Sequence, residues 1–154
     1  MSELRTKITE AMKTAMKAGQ PERTSAIRMI NAGIKQKDID TRSDTNKEPI
    51  SDVAILSLLQ SMIKQRRESI MMYEQGARPE LAAKEQAEID VIEEFLPAQM
   101  SATAVREIIT GIISSTGAAG IKDMGKVMAA VKEKLSGQYD TAEASKLVKE
   151  LLSA

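Results

Sequence analysis

The stretch Ser51-Asp-Val-Ala-Ile-Leu-Ser-Leu-Leu-Gln-Ser-Met-Ile-Lys-Gln-Arg-Arg-Glu-Ser-Ile-Met-Met-Tyr-Glu-Gln-Gly76 decides the fold. Ile55, Leu59, Met62, Ile63, Ile70 and Tyr73 recur at the spacing of one helical face, and no glycine or proline interrupts them before Gly76. Pro79 suits the first turn of a following helix, whose apolar stripe is Ile89, Ile92, Phe95 and Leu96. So short a turn makes the two helices antiparallel, with the tip near Ala77. Arg66 falls inside the apolar seam, with Ile63 three residues before it and Ile70 four after. Reflection through the tip sets it opposite about position 88, and Glu85 and Glu88 both lie on the stripe from Leu81 to Ile92. A charge kept in such a seam needs a hydrogen-bonded partner. An ion pair of Arg66 with Glu85 or Glu88 is therefore expected. Arg67, one residue off the seam, and Lys64 are freer to reach a phosphate.

The same period runs outward in both directions. Leu4, Ile8, Ala11, Met12 and Ala15 mark a first helix, closed by Gly19 and Pro21; Ile27, Ile30 and Ile34 carry a second to about Ile39. Asp40 to Pro49 has no apolar residue except the proline and reads as a loop. Pro97 stops a helix and Ser101 can cap the next. Beyond them one template appears three times: Val105, Ile108, Ile109, Ile112; then Met124, Val127, Met128, Val131; then Ala144, Leu147, Val148, Leu151. Asp140 and Glu143 resemble a capping box ahead of the last set. The expectation is an all-α chain: an N-terminal domain over residues 1–97 with a long antiparallel helix hairpin, then a small three-helix bundle over 98–154.

Composition narrows the chemistry. The 154 residues contain no Cys and no His, which removes disulfides, thiolate nucleophiles, the commonest metal ligand and the commonest general base. Tyr73, Phe95 and Tyr139 are the only aromatics, so the core must be Ile, Leu, Met and Ala, as in helix-on-helix packing. The N-terminus has no apolar stretch of the secretory type, and no run approaches a membrane span. A cytoplasmic, membrane-free protein is expected. Net charge is zero, yet residues 1–37 hold eight Lys/Arg against three Asp/Glu, and residues 79–97 hold one against six. A basic face and an acidic face can hide in that balance.

Three motifs invite enzymatic readings. Gly120 to Lys126 matches the first seven positions of a phosphate-cradling loop, but the eighth is Val127 where a magnesium-holding hydroxyl belongs, and no strand feeds it. The simpler reading is a tight turn into a helix; Lys122 and Lys126 flank it and could hold one phosphate. Ser61-Met-Ile-Lys64 spells S-x-x-K in mid-helix, without companion motifs. Glu85, Glu88, Asp90, Glu93 and Glu94 have spacings that could hold a hard cation, though such runs are usually a solvated face. No catalytic residue, metal or cofactor is assigned.

Several segments together resemble the YqeY family. They are Ile34-Lys-Gln-Lys37, Lys64-Gln-Arg-Arg67, Glu68-Ser-Ile-Met-Met-Tyr73, Arg78-Pro-Glu-Leu-Ala82, Glu94-Phe-Leu-Pro97 and Lys122-Asp-Met-Gly-Lys-Val-Met128, in that order along the whole chain. Ala77, Pro79 and Gly120 depart from the usual residues without disturbing the order. The family is similar to the C-terminal tail of the B and E subunits of glutamyl-tRNA(Gln) and aspartyl-tRNA(Asn) amidotransferases, a helical tail that contacts the tRNA body. The resemblance implies a tRNA-associated module; the residues offer no catalytic constellation, and Lys64, Arg67, Lys122 and Lys126 are the candidate RNA-binding residues. Two alternatives remain open. One is a protein-interaction adaptor with a partner in the translation or amidotransferase machinery. The other is an accessory to carbon–nitrogen ligase activity with glutamine as amido-N-donor.

Overall fold

Ser2 starts the first helix by accepting the Arg5 N–H on its hydroxyl at 3.2 Å. The computed structural model describes residues 2–153, so Met1 and Ala154, the outer ends of the two expected domains, lie outside the described residues. Seven α-helices and no strand occur among them: α1 (Glu3–Lys17), α2 (Pro21–Asp40), α3 (Asp52–Gln75), α4 (Pro79–Glu93), α5 (Ala102–Thr116), α6 (Met124–Leu135) and α7 (Thr141–Ser153), with a short 3-10 turn over Ile121–Asp123. The all-α expectation holds. The chain divides into two compact units between Leu96 and Pro97.

In the first unit Gly19, at φ 65°, lets Gln20 N–H reach back to the Ala15 carbonyl at 3.0 Å, and Pro21 then opens α2. Ile8, Ile27, Ile30, Ile34, Ile55, Leu59, Met62, Ile63, Ile89, Ile92 and Phe95 make one core from all four helices. Branched aliphatic side chains fill it, as expected of a chain with so few aromatics. Ser51 caps α3 through the Ala54 N–H at 3.2 Å. At the far end of α3 the left-handed residue is Ala77, at φ 55°, and not Gly76, whose φ is −87°. Arg78 N–H bonds the Tyr73 carbonyl at 2.8 Å and closes the turn into α4.

The second unit buries Val105, Ile109, Ile112, Val127, Val131, Leu135, Ala144, Val148 and Leu152, drawn from α5, α6 and α7. Ser101 caps α5 through Ala104 N–H, and Gly117 ends it at φ 68°. Asp140 caps α7, accepting from Ala142 N–H at 2.7 Å and Glu143 N–H at 3.3 Å. Glu143 does not complete the box, because its carboxylate faces Lys146 at 3.5 Å.

Candidate nucleic-acid interface

Arg66 arrives in the seam because α3 repeats Leu59, Ile63 and Ile70 around it, and its side chain is 9% exposed. Its Nε donates to Glu88 Oε2 at 3.0 Å, its Nη1 to the Met62 carbonyl at 3.2 Å, and its Nη2 faces Met29 Sδ at 3.8 Å. One guanidinium thus ties α2, α3 and α4. Of the two carboxylates considered, the structure brings Glu88 to Arg66 and leaves Glu85 half-buried one turn nearer the tip, outside the pair. Nothing in this cluster is open to an external anion, since the guanidinium is covered and each of its three nitrogens already has a partner.

The four phosphate candidates fall in different settings. Lys64 is exposed and makes no ion pair; Arg67 is exposed but sits 3.5 Å from Glu93. In the other unit Lys122 is exposed and unpaired, while Lys126 Nζ donates to the Thr116 carbonyl at 3.1 Å, closing the end of α5. Two candidates belong to each unit, so neither unit by itself gathers all four. The glycine turn is not an open cradle either. Asp123 turns its carboxylate back onto Ala119 N–H at 2.9 Å, filling with its own charge the place a phosphate oxygen would take. The Gly120–Lys126 segment is a turn that caps itself.

Four of the five acids between Glu85 and Glu94 are engaged by a cation or an amide. Glu88 meets Arg66, Glu93 meets Arg67, Glu94 meets Arg23, and Asp90 accepts from Gln86 at 2.9 Å. No group of three or more potential metal ligands occurs among the described residues.

Sequence reasoning missed one cluster altogether. Arg5 grips both oxygens of Asp38, at 3.0 and 2.6 Å, and donates to the Ile50 carbonyl at 3.1 Å; Asp38 Oδ1 also accepts the Ile50 N–H at 2.8 Å. Arg5 Nε is buried without a partner. The hydrogen bond from Arg5 holds the Asp38 carboxyl below its ordinary range; partial burial opposes the shift and the Ile50 N–H reinforces it. This clasp ties α1, the end of α2 and the end of the polar segment that precedes α3. The only sequence signal was an arginine inside the Leu4–Ile8 turn and an aspartate inside the basic tail of α2.

Comparison with known proteins matches residues 5–152 to the family described as Yqey-like protein. The chain belongs to that family. Its relatives include the protein named Altered inheritance of mitochondria protein 41, mitochondrial, in three fungi. The Eremothecium gossypii relative is 32% identical over 97 residues, covering 63% of this chain and 51% of the relative. That of Pyrenophora tritici-repentis is 28% identical over 147 residues, covering 93% and 77%. That of Lachancea thermotolerans is 32% identical over 85 residues, covering 55% and 43%. The matches thus span about half the length of the Eremothecium relative and less of the Lachancea one. The cytoplasmic expectation does not stand, because these relatives are named as mitochondrial proteins. It rested on the missing secretory h-region, a test that carries no information about a mitochondrial address. No helix among the described residues is long and apolar enough to cross a membrane.

Proposed function

We propose that this YqeY-like chain is a helical module that associates with the body of tRNA through phosphate contacts and has no catalytic step of its own. The single observation that supports the reading is the pair of exposed, unpartnered cations Lys64 and Lys122, which lie within two of the segments that carry the resemblance to the YqeY family. The structural reading gives Arg67 and Lys126 weaker parts, since each already has an intramolecular partner. The chain's zero net charge keeps the number of phosphate contacts to about three to five, so binding is weak at physiological salt. Titration of unfractionated tRNA at several salt concentrations tests this. Affinity should fall steeply with salt, and Lys64→Ala or Lys122→Ala should each lower the log–log slope by about one. Binding that is absent at low salt, or indifferent to salt, sinks the proposal.

A protein-interaction adaptor is the second reading, supported by Met71 and Met72 near the end of α3, which are 59% and 71% exposed. Adaptable side chains of this kind suit a protein partner better than a phosphate backbone.

A further inference from the structure

Lys64 and Lys122 are not the only exposed cations without an acidic partner. From Arg23 to Lys37, α2 carries four basic residues and no carboxylate. Arg23 is held by Glu94, whereas Arg28 and Lys35 are exposed and meet no acid among the described residues. They stand seven residues apart, so about 10 Å separates them along one stripe of the helix. Between and beside them on that stripe lie Ser25 and Ala32, both exposed and small. The two acids that close α2 are engaged: Asp38 by Arg5, and Asp40 by Gln36 Nε2 at 2.8 Å.

Helix α1 extends this surface. Arg5 meets Asp38, and Asn31 Nδ2 faces Met12 Sδ at 3.5 Å, so seven residues of α1 are matched antiparallel to seven of α2. That register brings Thr9 beside the turn of Lys35, and Met16 beside the turn of Arg28. Glu10, the carboxylate in this part of α1, is already answered by Lys13 at 3.4 Å. Two paired helices therefore present a cationic strip, and the unpaired carboxylate of α2, Glu22, lies in its first turn, six residues before Arg28.

We infer that the α1–α2 face, centred on Arg28 and Lys35, is the phosphate-docking surface of the N-terminal unit, and that its partner is the backbone of a structured RNA. This rests on the RNA-binding reading above and moves its main contacts in this unit away from Arg67. A bilayer is the poorer occupant. The apolar side of α2 (Ile27, Ile30, Ile34) is already in the core, so that Met16, Met29 and Ile39 are the large apolar side chains these two helices leave exposed to lipid. Stacking on unpaired bases is also disfavoured: Phe95 is buried and Tyr73 half-buried, so this unit offers no open aromatic platform. Phosphates presented at fixed spacing by a folded RNA match cations held at fixed spacing by paired helices.

The test uses the full chain, unfractionated tRNA, and vesicles of phosphatidylcholine with phosphatidylserine. Arg28→Glu with Lys35→Glu should weaken tRNA binding at low salt by roughly 10-fold or more and reduce the salt slope by about two. Lys84→Glu, an exposed and unpaired position on α4, should change affinity by less than about 2-fold. Arg28→Gln with Lys35→Gln, which removes charge without reversing it, should give an intermediate loss and guards against a folding defect. If wild type binds tRNA and both double variants match Lys84→Glu, this surface is wrong while the RNA reading survives. If wild type fails to bind tRNA at low salt, the RNA reading falls and this inference with it. Vesicle binding with the same dependence on Arg28 and Lys35, at equal or greater strength than tRNA, overturns the choice of partner.

Discussion

The N-terminal unit buries Arg66 against Glu88 and clasps Arg5 onto Asp38, whereas the C-terminal unit carries Arg106–Glu150 and Lys146–Glu143 on its surface. The difference follows from what each unit has to hold. In the C-terminal unit the segments joining α5, α6 and α7 are short and closed by local contacts of Gly117, Asp123 and Asp140. Three apolar stripes then suffice to define the packing. The N-terminal unit must fix the polar segment between Asp40 and Ser51, which contributes no apolar anchor before Ile50. It must also steady a long pair of helices whose far ends lie outside the core. Directional, charge-assisted hydrogen bonds do what unspecific apolar contact does less well. Buried ions are costly to desolvate, so their use here buys definition more than stability.

That contrast predicts a ranking. Arg66→Ala strands Glu88 and uncovers the Met62 carbonyl, and should lower the stability of the N-terminal unit by about 3 kcal/mol, read from the urea midpoint of its amide signals. Replacing both Arg66 and Glu88 by Leu should recover most of that loss. If Arg66→Ala costs no more than a surface change, the pair is ornamental and the contrast collapses. Arg5→Ala should cost about 2 kcal/mol, less than Arg66→Ala because Asp38 keeps the Ile50 N–H.

The same clasp gives the N-terminal unit an acid sensitivity. The Asp38 carboxyl titrates lower in the folded state than in the unfolded one. Its stabilisation is therefore complete above the ordinary carboxylate range, about pH 4, and is lost as pH falls through the lowered folded value. Arg5→Ala should flatten this part of the N-terminal unit's pH profile and leave the C-terminal unit's profile unchanged. An identical profile with and without Arg5 would separate the clasp from acid stability.

Smaller effects sharpen the comparison. Ala77→Gly should stabilise by about 0.5–1 kcal/mol, since relief of a left-handed alanine outweighs the added freedom of the unfolded glycine. Arg106→Ala should cost less than about 0.5 kcal/mol, as an exposed pair. A loss there comparable with Arg5→Ala would show that the C-terminal unit also depends on its ions.

The apolar stripes were legible because a helix core repeats at a period the sequence displays: Ile55, Leu59 and Ile63 are buried as the spacing required. Arg66 was legible for the same reason, as a charge caught in that period, and the short turn limited its partners to one stripe of α4. The Arg5–Asp38–Ile50 clasp was not, since it joins residues 33 and 45 positions apart that share no pattern. The tip near Ala77 was legible, but not that the left-handed position falls to Ala77 and not to Gly76. For the basic candidates, sequence showed the charge and not its company. Arg67 and Lys126 have partners within the chain, while Arg28, outside every quoted segment, and Lys35, inside one but not among the candidates, meet no acid among the described residues.

Between Arg66 and Glu88 the chain buries a single side chain, Ala82. The pair therefore marks where the cooperative core stops. Outward of it, backbone amides can open to solvent in small local events, and their hydrogens should exchange orders of magnitude faster than those around Leu59 and Ile92, which wait for the whole unit to unfold. The tip of α3 and α4 is a segment with its own clock, and Arg66 sets how far inward that clock runs.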